Sequence, residues 1–90
     1  MISFRYFNKI FLLIVLTLTV HASSLEQLFS EANSAYEQGQ YLKATELYSR
    51  ILKEHDNSTL RLNIGNAEFK NGELGKAVLQ YQKALALGTT

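Results

Sequence analysis

Ninety residues without cysteine, proline or tryptophan allow one small domain. They exclude a disulfide framework, a thiolate metal site and a nucleophilic thiol. The formal charge is only +1, and basic and acidic residues are interspersed, so the basic face that nucleic acid demands is missing.

The chain opens with Arg5 and Lys9, followed by an 11-residue apolar run over residues 10–20. Val20 and Ala22 then stand at the two places a signal peptidase reads. This is the layout of a secretory signal peptide. The run falls short of the roughly 20 apolar residues a spanning helix needs. The expectation is a signal over residues 1–22, with the exported protein beginning at Ser23. The alternative is an uncleaved membrane anchor, and contact with membrane is expected only in that case. Without Arg5 and Lys9 the rest is near neutral, with seven basic and eight acidic residues. No cysteine follows the run to accept a lipid, and export without disulfides fits a bacterial periplasm or cell envelope.

Ser24-Leu25-Glu26-Gln27 reads as a helix start of the capping-box kind. Leu25, Leu28, Phe29, Ala32, Ala35 and Tyr36 follow at steps of 3 and 4, one face of a helix that Gly39 ends. A second helix is predicted from Tyr41 to Glu54, with Tyr41, Ala44, Leu47, Tyr48, Ile51 and Leu52 at helical spacing. The short break between them demands an antiparallel hairpin. His55-Asp56-Asn57-Ser58 is a polar interruption in which Asn57 or Ser58 can cap the next helix. The third helix is predicted from Thr59 to Asn71, broken by Gly72, and the fourth from Leu74 to Leu87. No stretch alternates as a strand would.

The two hairpins echo each other. Asn33, Tyr36, Gly39, Ala44 and Tyr48 return as Asn66, Phe69, Gly72, Ala77 and Tyr81, each 33 residues later. Ala32 returns as Gly65 and Tyr41 as Leu74. A fixed period of this length signals stacked supersecondary units that bury their apolar faces against each other. The fold class is therefore all-α, with helical hairpins stacked as two units after an N-terminal signal or hydrophobic helix. The domain is expected over residues 23–90, with repeats at about 25–57 and 58–90. Small residues opposite large ones let helices approach to roughly 8–10 Å.

This pattern resembles the tetratricopeptide repeat. The segments Leu62-Asn63-Ile64-Gly65-Asn66-Ala67-Glu68-Phe69-Lys70-Asn71-Gly72 and Gly75-Lys76-Ala77-Val78-Leu79-Gln80-Tyr81 are similar to the exported repeat proteins of the bacterial aerotolerance (Bat) operon, as is Ala32-Asn33-Ser34-Ala35-Tyr36. That resemblance implies an envelope scaffold working beside membrane proteins with von Willebrand A-type domains. The pattern departs in three ways. Asp56 and Thr89 stand where proline usually closes each repeat; Arg61 and Glu68 replace apolar packing residues; and two repeats are present where about three are normal.

In that family the first helix of each repeat lines a concave groove. The resemblance places Phe29, Asn33 and Tyr36 there from the first repeat, and Leu62, Asn63, Asn66, Phe69 and Lys70 from the second. Carboxamides donate and accept, so they suit the backbone of an extended peptide, and aromatics receive its apolar side chains. The competing reading has the aromatics packing on neighbouring helices and the asparagines bracing the fold. Asn33 and Asn63 match part of the family's carboxylate clamp, but Phe29 occupies the place of its first lysine, so no clamp is expected. His55 has only Glu54 and Asp56 beside it, which makes no metal ligand set. No catalytic set and no cofactor site emerge, and an enzyme is not expected. The leading expectation is a scaffold of the cell envelope that binds a protein through the groove. The alternative is a membrane-tethered structural subunit that docks through its last helix. Val78, Tyr81 and Leu85 form a stripe there with only Gly88, Thr89 and Thr90 after it, so the chain is expected to self-associate, stay partly molten or lean on a partner.

Overall fold

The computed structural model describes residues 24–88, and the signal or anchor expected over residues 1–22 lies outside them. Helix α1 spans Leu25–Glu37, α2 Tyr41–Leu52, α3 Ser58–Lys70 and α4 Leu74–Leu87, with no strand among the described residues. The all-α reading holds. No helix among the described residues is long and apolar enough to cross a membrane.

Each boundary has a local cause. The Ser24 hydroxyl accepts from the Gln27 N–H at 3.3 Å, and the Asn57 carboxamide accepts from the Leu60 N–H at 2.8 Å. These side chains satisfy donors that a helix start leaves open. Asn57 is the cap of α3, so the helix begins one residue earlier than expected, at Ser58. At the end of α1, Gly39 takes φ +76°, which lets the Gln40 N–H reach the Ala35 carbonyl at 2.8 Å. Gly72 takes φ +81° and repeats the arrangement from Glu73 to Glu68. A side chain at either glycine would sit in the left-handed region. Helix α2 stops at Leu52 instead of Glu54, and Glu54 and His55 both turn their N–H groups onto the Ile51 carbonyl. The residues that follow Leu52 are exposed and polar, so no packing draws the helix onward.

Helices α1 and α2 pack as one hairpin, α3 and α4 as the other, and α3 lies against α2. Ala32, Ala35, Ala44, Leu47, Tyr48 and Ile51 join Leu60, Ile64 and Ala67 of α3 in one core. Ala44 is fully buried and Ala77 is 1% exposed, each where small residues let helices cross closely. Leucine at either position is expected to overpack the crossing and cost about 1–3 kcal/mol. Thermal melts of Ala44→Leu and Ala77→Leu read the effect, and an unchanged melt at either would contradict the crossing.

The second hairpin departs from the first along its internal seam. Leu28, Ala35 and Leu47 of the first are replaced, 33 residues on, by Arg61, Glu68 and Gln80. Arg61 donates Nε and Nη2 to the two Asp56 carboxylate oxygens, both at 2.8 Å, and Nη1 to Gln80 Oε1 at 3.0 Å. The Arg61 bond holds Asp56 below the usual carboxylate range. Glu68 is only 3% exposed, and its Oε2 has no hydrogen-bond partner.

Candidate functional site

A groove of about 310 Å³ opens between the hairpins, lined by Asn33, Tyr36, Glu37, Tyr48, Asn63 and Asn66. Helix α1 supplies Asn33, Tyr36 and Glu37 from successive positions on one face, and α3 supplies Asn63 and Asn66 at the (i, i+3) spacing of helix neighbours. The stacking of α3 on α2 sets these two rows opposite each other.

The asparagines are held by tyrosines. Tyr48 Oη donates to Asn33 Oδ1, and Tyr81 Oη donates to Asn66 Oδ1 at 2.7 Å. Each bond spans 15 residues and joins the two helices of one hairpin. The arrangement recurs with the 33-residue period. It fixes each carboxamide with its oxygen toward the phenol. The amide Nδ2, with its two N–H donors, is left for other acceptors. Both Asn33 and Asn66 are exposed, so those donors meet solvent. Burial, and then electrostatic repulsion from neighbouring Tyr36 and Glu37, push the Tyr48 phenol above its ordinary value. It keeps its proton through the neutral range and remains the donor.

Four of the eight expected groove residues, Asn33, Tyr36, Asn63 and Asn66, line this groove together. The other four lie elsewhere. Phe29 packs edge-on against Tyr48 with ring centroids 5.7 Å apart and faces a separate cleft shared with Leu25, Ile51 and Leu60. Leu62 belongs to a cleft with Ala84 and Leu85. Phe69 and Lys70 are exposed beyond the groove. Tyr36 is also a packing residue, edge-on to Tyr41 at 5.4 Å. The two readings of the asparagines are thus compatible, because the same carboxamide braces the hairpin and faces the groove.

Sequence reasoning missed Glu37 and Tyr48 as lining residues. Glu37 lies one turn after Asn33, so extending the face one residue past Tyr36 finds it. Tyr48 reads as a core residue from spacing alone, and it is one, at 2% exposure, yet its hydroxyl reaches the groove. With Glu37 as its single carboxylate and no cation, the lining opposes an anionic chain terminus. No cluster of residues suited to hold a metal ion occurs among the described residues.

Comparison with known proteins agrees with the stacked helical hairpins. Residues 29–90 match a family model described as the tetratricopeptide repeat. No curated protein matches the chain.

Proposed function

Because the chain belongs to the tetratricopeptide repeat family, whose members generally mediate protein–protein contact, we propose that its groove holds an extended segment of a partner protein in the bacterial cell envelope. The observation that carries this reading is the duplicated tyrosine-to-asparagine bond. Two carboxamides, fixed alike and one repeat apart, offer N–H donors to the backbone carbonyls that an extended chain leaves free and a helix does not. Glu37 favours a cationic side chain beside that segment. The envelope part of the reading rests on the sequence of residues 1–22, and the resemblance to aerotolerance-operon proteins makes membrane proteins with von Willebrand A-type domains the first partners to test. A second reading, a membrane-tethered subunit docking through α4, is favoured by the apolar side chains exposed on that helix.

A photo-crosslinking residue placed at Asn63 identifies what lies in the groove, and titration with that partner then tests the grip. Asn33→Ala and Asn66→Ala are each expected to weaken binding about five-fold, near 1 kcal/mol per lost hydrogen bond. Tyr81→Phe keeps the Asn66 amide but releases it, and is expected to weaken binding by a smaller factor. Equal affinity for all three variants would exclude the groove as the binding surface.

A further inference from the structure

The two halves of the groove are alike in hydrogen bonding and opposite in charge. Asn33 and Asn66 stand one period apart and accept the same tyrosine bond. One turn further on, the same period pairs Glu37 with Lys70, the last residues of α1 and α3. Both are exposed. Glu37 lines the groove. Lys70 stands outside the lining, yet at about 3.6 residues per turn it falls between Asn63 and Asn66 around α3, on the side that faces the groove. Its flexible stem lets the ammonium reach over that rim.

Neither charge is used by the fold. The ion pairs among the described residues join Arg61 to Asp56 and Lys76 to Glu73, so Glu37 and Lys70 pair neither with each other nor with a third group. Lys70 suits its place, because the carbonyls that end a helix attract a cation. Glu37 does not suit its own. It adds a carboxylate to the negative end of α1, whose last turn holds no basic residue. An anion set against its own helix, unpaired and in the groove lining, is placed for a cation that the described residues do not supply.

We propose that the groove selects a zwitterionic segment, with a basic side chain over α1 at Glu37 and an acidic one over α3 at Lys70. The inference rests on the groove holding an extended segment. Helices in contact lie roughly 8–10 Å apart, and α1 and α3 face each other across an open groove. An extended chain rises about 3.3 Å per residue, so the two charges of the segment stand at least about three residues apart. They settle what the carboxamides leave open. Two like donors hold a backbone in either direction, whereas a cation that meets Glu37 and an anion that meets Lys70 fix one. A segment with two cations or two anions meets a like charge in one repeat whichever way it runs.

The test selects random displayed peptides on the full chain, on Lys70→Glu and on Glu37→Lys, with circular dichroism confirming that both variants fold. The parent is expected to enrich segments with one basic and one acidic residue, Lys70→Glu segments with two basic residues, and Glu37→Lys segments with two acidic ones. A synthetic copy of a segment enriched on the parent, capped at both ends to remove terminal charge, is then titrated. Changing its acidic residue to lysine is expected to weaken binding to the parent about five-fold and to strengthen binding to Lys70→Glu. Both differences should shrink in about 1 M salt, where charges act over only about 3 Å. Enrichment that ignores charge, or that is the same on all three proteins, overturns the proposal. If such binding still weakens in Asn33→Ala and Asn66→Ala, the groove reading stands and the zwitterionic selection alone fails. Binding that is unchanged in both asparagine variants removes the groove reading and this proposal with it.

Discussion

Gly65→Leu is expected to remove about 3 kcal/mol of stability and lower the melting temperature by at least roughly 10 °C. A Cβ at Gly65 would stand 2.7 Å from Tyr81 Cε1 and 2.9 Å from Cδ1. The obstacle is the body of an aromatic ring, which cannot yield by turning its tip aside. Ring and helix must separate, and the Tyr81 bond to Asn66 goes with them. Two small hairpins with so compact a core have little stability to spare. The measurement is a thermal melt followed by circular dichroism. Adding Tyr81→Ala should recover part of the loss, because one contact is shared by both sites. An unchanged melt for Gly65→Leu would mean that α3 and α4 do not meet at this glycine.

Glu68→Leu is expected to act in the opposite direction, stabilising the protein by roughly 2 kcal/mol. It removes a buried carboxylate whose Oε2 has no partner and places apolar volume where Ala35 sits in the first hairpin. The pH dependence follows from the same burial. Desolvation, and then the charge of Glu73, raise the Glu68 carboxyl above its ordinary value, with Lys76 and Lys83 opposing. Because the folded form holds its proton more tightly than the unfolded one, ionisation costs stability above the folded value. Parent protein should therefore gain stability as pH falls through that value toward the unfolded value of 4.5. Asp56, lowered by Arg61, acts lower down and loses its contribution as pH falls below its unfolded value of 3.8. Denaturant melts across this range should show a rise in the parent that Glu68→Leu lacks. A parallel pH profile in both proteins would refute the assignment.

Helix positions were legible in the sequence because spacing, caps and glycines agreed with one another. Leu74–Leu87 matches the expectation at both ends, and Gly39 and Gly72 stop their helices as their permissive backbones suggest. The groove was half legible. Spacing puts Asn33 and Asn66 on one helix face each, but it does not carry the bond from a residue 15 positions away that orients them. Phe29 and Leu62 occupy equivalent places in the repeat and still face separate clefts, because α3 packs over the first hairpin alone. Periodicity assigns a residue to a face; the neighbour that face meets depends on what is stacked next to it.

Helix α4 buries only Ala77 and Ala84, and neither belongs to the main core. Two methyl groups hold far less than the leucine, tyrosine and isoleucine that anchor α2, so α4 is an arm whose local unfolding gives up less fully buried volume than that of α2. Yet α4 carries Tyr81, and Tyr81 sets the Asn66 amide. A ligand that needs that amide in place thus has higher affinity for the closed arm than for the open one. Thermodynamic linkage makes the relation reciprocal: occupancy of the groove slows the opening of α4, and whatever braces α4 from outside tightens the groove.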